Sequence, residues 1–342
     1  MSRKSMTVAM VSLLMLTIFI ALPIRGECQQ KPIKWKIAFM YPPGTVFTQI
    51  YHGFCESVQK MSGGRLVFEE LYADEGIGFT EQLPALRSGM IQMAMPYQAL
   101  YGDVPTGPIE LGLPGSPRDF VKLRGLFHET KWKEFLREAY ARHNAYWLGE
   151  YCQIPTYLVT KKPINNLGDL KGMKLRGVAM YGKMLSRLGA APVTMSYGEI
   201  YTSLATGLIE GAAGSNIIDY RDGRFQEQAK WLYPLDVSGC QTFPVLVNIN
   251  EWKSLPEDLR QILEAANTQF NVDMRVKSTL WEEGALKDMM KGGLKWGPKP
   301  TEGDIVKWKE AGQGVWPEFE AKDELSKKMV AVLRDYMKEM GD

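Results

Sequence analysis

The segment Glu81-Gln-Leu-Pro-Ala-Leu86-Arg-Ser-Gly89-Met-Ile91-Gln-Met-Ala94 is echoed by Glu199-Ile-Tyr-Thr-Ser-Leu204-Ala-Thr-Gly207-Leu-Ile209-Glu-Gly-Ala212. Both fit E-x4-L-x2-G-x-I-x2-A. Each spacing predicts a short helix, a glycine at its C-terminus free to take a positive φ, and then a β-type segment. The second copy is preceded by a capping box, Ser196 to Glu199, in which side chains satisfy free backbone N–H groups. Helix–glycine–strand is a common construction, so one match carries little. Two copies near the ends of comparable stretches predict two lobes of similar build.

The rest of the pattern agrees. Ile33 to Met40 alternates as a strand, Tyr41-Pro42-Pro43-Gly44 turns the chain, and Val46 to Met61 has helical spacing ended by Gly63-Gly64. Arg65 to Leu71 reads as a second strand, giving β-loop-α-β, the unit of an open parallel sheet. From Pro256 to about Lys291 the positions Leu259, Ile262, Leu263, Ala266, Phe270, Met274 and Leu280 keep near-helical spacing with no later proline. At ~1.5 Å per residue such a helix reaches on the order of 50 Å, longer than one lobe. Its apolar heptads are too irregular for coiled-coil pairing, so it is expected to lie across both lobes. Ile305 to Met340 reads as amphipathic helices interrupted at Gly312-Gln313-Gly314 and Pro317.

The beginning of the chain speaks to compartment. Arg3 and Lys4 precede the uncharged run Met6 to Ile24, and Pro23 and Gly26 break it before polar Glu27-Cys28-Gln29-Gln30. These are the marks of a secretory signal over residues 1–28, hence of a periplasmic location. An uncleaved anchor is the alternative, against which Pro23 and the polar exit argue. Lipidation at Cys28 is a third option, disfavoured by the charged Glu27 before it. Losing Arg3, Lys4, Arg25 and Glu27 takes the chain from 41 basic and 39 acidic residues to 38 of each. A neutral chain without basic runs gives no electrostatic case for nucleic acid. With 45% hydrophobic residues, it has ample core for about two lobes. Cys55, Cys152 and Cys240 show no CxxC spacing and are expected as isolated buried thiols.

Catalytic chemistry finds little footing. His52, His128 and His143 lie in no HExxH and at no metal-ligand spacing, and there is no GxSxG elbow. Gly177 to Met184 reads GxxxxGKM, but a P-loop needs Ser or Thr where Met184 stands. Arg176 is the stronger candidate. It ends a strand-like Met173-Lys-Leu-Arg and precedes Gly177, so its guanidinium emerges where a loop begins. Ligands of open α/β folds bind at carboxyl ends of strands. A guanidinium fork matches a carboxylate bidentately.

The residues around Arg176 carry a resemblance. Asn166-Leu-Gly-Asp169-Leu170-Lys171-Gly172-Met173-Lys174-Leu175-Arg176 is followed by Leu188-Gly189-Ala190-Ala191-Pro192-Val193 and by Tyr197-Gly-Glu199-Ile-Tyr201-Thr-Ser-Leu204-Ala-Thr-Gly207-Leu-Ile-Glu210-Gly211. Earlier come Ser62-Gly63-Gly64-Arg65-Leu66 and Leu83 to Gly89, and later Trp252 to Leu259. In this order the set resembles the DctP-type substrate-binding subunits of tripartite ATP-independent periplasmic (TRAP) transporters, over most of the chain. The resemblance implies a two-lobed α/β periplasmic binding protein fold with a long helix spanning both lobes. Lobe I is then expected at 31–153 plus 243–275, and lobe II at 154–242 plus 276–342. It also implies a small organic acid held between the lobes by Arg176, closure about a hinge, delivery to a TRAP permease, and no cofactor.

Departures bear on the ligand. Where many relatives carry a glutamate and an asparagine or tryptophan, some holding a metal ion, this chain has Ala212-Ala213-Gly214-Ser215-Asn216. No metal is therefore expected, and Ser215 and Asn216 stand as ligand contacts. In Glu150 to Tyr157, Gln153 and Thr156 are the polar candidates. Tyr41, Tyr97, Tyr101 and Phe243 cluster at predicted strand ends. If at least two face the cleft, the acid has a flat or apolar body. The same binding fold also serves sensors that hand a ligand to a signalling partner. A periplasmic enzyme would need a nucleophile and base that the sequence does not pair.

Overall fold

The computed structural model describes residues 31–341, apart from positions 74, 79, 118 and 178. The expected signal segment, with Cys28, lies outside the described residues. The chain lays down strand β1 (Ile33–Phe39), helix Val46–Met61, strand β2 (Leu66–Tyr72), helix Gln82–Ser88 and strand β3 (Met93–Met95). After helices Phe120–Glu129 and Trp132–Ala141 comes β4 (Ala145–Cys152), which ends the first pass through one sheet. Strands β5 (Tyr157–Thr160), β6 (Lys174–Arg176), β7 (Ala191–Val193), β8 (Gly211–Ser215) and β9 (Trp231–Leu232) build a second. The chain then returns with β10 (Thr242–Asn248), enters the helix Glu257–Lys291, and adds β11 (Lys295–Trp296) to the second sheet.

The sheet orders are β2-β1-β3-β10-β4 and β11-β9-β5-β8-β6-β7. Strands β1 and β3 are parallel, as are β6 with β7 and with β8. The returning strand β10 runs antiparallel to β3 and β4, so it locks into the middle of the first sheet. The two crossings, after β4 and before β10, pair with each other. Gln153 N donates to Gln241 O at 2.8 Å, Thr156 N to Ser238 O at 3.2 Å and Val237 N to Thr156 O at 2.7 Å. This antiparallel bridge is the connection about which two lobes can turn.

The sequence echo is realised in each sheet. Helices Gln82–Ser88 and Ile200–Thr206 end on Gly89 (φ 79°, ψ 9°) and Gly207 (φ 80°, ψ 12°). Each glycine N–H bonds the carbonyl three residues back, Leu86 and Leu204, and the following isoleucine bonds back to Ala85 or Ser203. Such left-handed caps close the helix carbonyls and turn the chain into the next strand.

The long helix runs 35 residues, Glu257–Lys291, about 52 Å at 1.5 Å per residue. It packs on β4 and helix Val46–Met61 in the first lobe and on helix Ile217–Asp222 in the second. Leu259, Leu263, Ala266, Phe270 and Met274 are buried as expected, but Leu280 is 62% exposed. The seam has rotated by then and continues through Ser278, Ala285 and Met289.

The end of the chain packs in two places. Helix Glu302–Gln313 lies on helix Ala179–Arg187, with Trp308 Nε1 donating to Asp236 O at 2.7 Å. Beyond it the chain goes back to the first lobe. Trp316 Nε1 donates to Pro114 O at 2.8 Å and Tyr336 hydroxyl to Lys122 O at 2.7 Å. Helix Glu324–Glu339 packs on Trp132–Ala141. The fit requires Gly125, where a Cβ would stand 2.1 Å from the Tyr336 hydroxyl. Residues 34–342 form one compact unit, and no helix among the described residues is long and apolar enough to cross a membrane.

Candidate functional site

Arg176 closes β6, whose partner β8 runs parallel to it with Arg176 opposite Ala212. Both strands therefore deliver their carboxyl ends, Arg176-Gly177 and Ser215-Asn216, to the same edge of the sheet. The Arg176 side chain is 7% exposed. Its Nη1 donates to Ala213 O at 2.9 Å, and Nε reaches Met195 O at 3.5 Å. Among the described residues no carboxylate forms a salt bridge with it. Burial pulls its pKa down, opposed by Tyr220, Tyr97, Asp219 and Tyr181 nearby. A guanidinium so placed holds its charge at any working pH and has been dehydrated without an acidic partner, a combination that favours an incoming anion.

The other expected contacts divide. Tyr97 lies close enough to Arg176, Tyr181 and Asp219 for their charges to act on its phenol, although burial is the main cause of its raised pKa. Tyr41 comes from the first lobe too; burial raises its pKa, then Asp219, and its hydroxyl donates to Gln153 Oε1 at 3.2 Å. Gln153 is buried and lies beside the Tyr51 hydroxyl. Ser215 is buried at the end of β8. Asn216 caps helix Ile217–Asp222, its Oδ1 accepting from Asp219 N at 2.9 Å. Arg176, Ser215, Asn216, Tyr41, Tyr97 and Gln153 thus gather at one place.

Thr156, Phe243 and Tyr101 have other uses. Thr156 Oγ1 shares a 3.0 Å hydrogen bond with Ser238 Oγ inside the crossing bridge, so the hydroxyl belongs to the hinge. Phe243 is 1% exposed and sits between Tyr97 and Tyr151, with ring centroids 5.8 and 5.3 Å away. It backs the Tyr97 ring rather than forming a wall of its own. The Tyr101 hydroxyl accepts from Leu83 N at 3.3 Å.

Two residues at the site escaped the sequence reading. Gly214 has φ 87°, and a Cβ on it would stand 2.7 Å from Tyr181 Cδ2. The Tyr181 ring thus fills the space that a side chain at 214 would take. Gln241 Nε2 donates to its hydroxyl at 2.7 Å, tethering the ring to the crossing segment. Asp219 is the second. Burial pushes its carboxyl up to about 7, against the pull of the Asn216 backbone N–H and of Arg176. The Asn216-x-x-Asp219 spacing of a helix cap was the available signal.

The remaining motifs resolve into structure. Lys183 of the P-loop-like run pairs with Glu318 on the surface, and Met184 is wholly buried. Cys55, Cys152 and Cys240 are buried. Among the described residues no three His, Cys, Asp or Glu side chains converge as a metal site.

Residues 38–323 match the DctP family model, described as bacterial extracellular solute-binding protein, family 7. The chain belongs to this family. Its members are solute receptors rather than enzymes, and the resemblance read from the Arg176 region holds across most of the chain. A monocarboxylate 2-oxoacid-binding periplasmic protein of Nostoc sp. is 32% identical over 143 residues, which is 42% of this chain and 39% of that protein. The C4-dicarboxylate-binding periplasmic protein DctP of Rhodobacter capsulatus is 26% identical over 75% of this chain and 76% of its own length. Among solved structures, a TRAP periplasmic solute-binding protein from Colwellia psychrerythraea, with bound calcium and pyruvate, superposes with a TM-score of 0.79. It is 23% identical and covers 91% of this chain and 95% of its own, a likeness that establishes the DctP-family fold: α/β and two-lobed, with the long helix across both lobes.

Proposed function

We propose that this DctP-family protein captures a small organic acid in the periplasm and delivers it to a TRAP membrane permease. The observation that carries the reading is Arg176, a buried guanidinium pinned by backbone carbonyls and left without an acidic partner among the described residues. A ligand carboxylate supplies the missing charge, and the phenols of Tyr41 and Tyr97 flank it from the first lobe. Those rings suit an acid with a flat or apolar body. The names of the relatives, binders of 2-oxoacids and C4-dicarboxylates, support a carboxylate ligand. Residues 1–28 act as the export signal, and the lobes divide where the chain crosses, at 153/154 and 242/243. The closed form, stabilised by ligand bridging both lobes, is the state that the permease recognises.

Thermal-shift screening of the purified protein against small organic acids tests this reading. A ligand at 100 times its Kd adds about 2.7 kcal/mol of stability by mass action. At least one acid is expected to raise the melting temperature, and Arg176→Ala to abolish that shift. An unchanged affinity in Arg176→Ala overturns the reading.

A further inference from the structure

The run Gly177 to Met184, which fails as a P-loop, has another use. Gly177 directly follows Arg176, and a Cβ on it would stand 3.0 Å from Gly182 Cα, while one on Gly182 would stand 2.9 Å from Gly177 O. The two glycines let helix Ala179–Arg187 begin hard against the end of β6. That packing sets the Tyr181 ring, 1% exposed, on Gly214. Gly214 is the neighbour of Ala213, whose carbonyl accepts from Arg176 Nη1. The Tyr181 hydroxyl in turn accepts from Gln241 Nε2 at 2.7 Å and donates to Ser238 Oγ at 3.3 Å. Gln241 adjoins the first sheet: it immediately precedes β10, and its carbonyl accepts from Gln153 N just past β4. Ser238 adjoins the second sheet: its carbonyl accepts from Thr156 N just before β5, and its Oγ shares a 3.0 Å bond with Thr156 Oγ1. One hydroxyl therefore spans the crossing bridge.

We infer that Tyr181 is a positioning residue that ties the Arg176 clamp to the hinge. This rests on the proposed carboxylate capture at Arg176 and deepens it. The ring does one half of the work, because it backs the strand that aims Arg176. The hydroxyl does the other half, because its two partners lie at opposite ends of the crossing. Turning the lobes moves Gln241 relative to Ser238 and breaks at least one of the two bonds. A buried hydroxyl or amide left without its partner is costly, so the hydroxyl favours the bend that holds Arg176 at 7% exposure. An anion on Arg176 and the bend of the crossing are then linked, and whatever favours one favours the other.

Distances between spin labels on the two lobes test the inference. Gly102 and Gly198 are exposed beyond the carboxyl ends of β3 and β7, and a Cβ on either meets no atom within 4 Å, so Gly102→Cys and Gly198→Cys can carry the labels. Cys55, Cys152 and Cys240 are buried and do not compete for them. Tyr181→Phe keeps the ring on Gly214 and removes the hydroxyl. In the ligand-free protein it is expected to shift the conformer ratio about three- to tenfold away from the separation that the bonded crossing sets, the worth of a lost hydrogen bond. Gln241→Leu should act in the same direction, and the double variant no more strongly than Tyr181→Phe alone, since both changes remove the same bond. Pyruvate, lactate, succinate and benzoate serve as carboxylate probes. Whichever acid narrows the wild-type distribution should be needed at about three- to tenfold higher concentration in Tyr181→Phe. An unchanged ligand-free ratio in Tyr181→Phe overturns the inference even if its urea midpoint falls, because the hydroxyl then only stabilises the fold. So do fully additive effects in the double variant, or an acid requirement that stays the same. If none of the four acids acts on the wild-type protein, or they act equally on Arg176→Ala, the organic-acid reading falls, and the ligand-free ratios still decide whether Tyr181 sets the hinge.

Discussion

Arg176 is bonded through Nη1 to the carbonyl of Ala213 at 2.9 Å, and not to any carboxylate among the described residues. The bond crosses from β6 to the adjacent strand β8 and aims the guanidinium without neutralising it. Holding an uncompensated charge at 7% exposure costs stability in the empty protein. Arg176→Met is therefore expected to stabilise the ligand-free protein by roughly 1 kcal/mol, read as a higher urea midpoint, while binding of the acid is lost. Arg176→Lys keeps a charge but loses the planar fork, and its affinity should fall about tenfold or more. A ligand-free Arg176→Met that unfolds earlier than wild type would make the arginine a structural residue instead.

The repeated caps allow a second check. Gly89 and Gly207 share φ near 80°, and no atom closer than 4.0 Å surrounds the site of an added Cβ at either. An alanine there meets no clash and pays only for the left-handed backbone, about 1 kcal/mol. Gly89→Ala and Gly207→Ala should each lower stability by that amount, equally within error. The double variant should show the sum, since the caps lie in different sheets. Chemical denaturation reads all three.

How much of this was legible in the sequence follows from how local each cause is. The caps were readable because a glycine, its preceding helix and the following isoleucine sit within ten residues. Arg176 was readable for the same reason, as a strand end beside a glycine. The return of the tail to the first lobe was not, since Trp316 finds Pro114 and Tyr336 finds Lys122 across about two hundred positions. Nor could Gly214 be understood before the Tyr181 ring was seen lying on it. Asp219 carried a visible cap spacing, but its nearness to Arg176, Tyr41 and Tyr97 depends on three separate segments. Leu280 kept the helical spacing and still faces out, because a straight 3.6-residue helix drifts off a fixed seam over many turns.

Glu110 gives a prediction in pH. Its side chain accepts from the Tyr140 hydroxyl at 2.5 Å and from Trp147 Nε1 at 2.7 Å, wholly inside the first lobe. Burial outweighs these two bonds and pushes the carboxyl up to about 8 from its ordinary 4.5. A folded-state pKa above the unfolded value means that the native protein binds the proton more tightly. The contribution of Glu110 is then full below about pH 4.5 and is lost as pH rises toward 8. Glu110→Gln removes the titration and keeps an acceptor. Its stability relative to wild type should rise steadily from pH 5 to pH 8 in denaturation curves. A difference that stays flat with pH would place the ionised carboxylate comfortably in the core.

The strongest packing prediction concerns Gly149 and the long helix. Strand β4 changes register against β10 here, Val245 facing Gly149 and Leu246 facing Trp147, so Leu148 is the extra residue of a bulge. The bulge lets the helix come close. Asn267 Nδ2 reaches Glu150 O at 3.4 Å, Asn271 Nδ2 donates to Glu150 Oε1 at 2.8 Å, and Asn271 Oδ1 accepts from Cys152 N at 3.0 Å. A Cβ on Gly149 would stand 2.0 Å from Asn267 Nδ2. Gly149→Ala should thus force the asparagine aside and cost about 1–3 kcal/mol, the range of overpacked cores. Asn267→Ala alone loses a long hydrogen bond and some packing, about 1 kcal/mol. Combined, the two changes should cost less than their sum, because the shortened side chain leaves room for the new methyl group. Urea midpoints of the four proteins complete the cycle; strict additivity would mean that helix and strand shift apart without strain and that Gly149 does not set their approach.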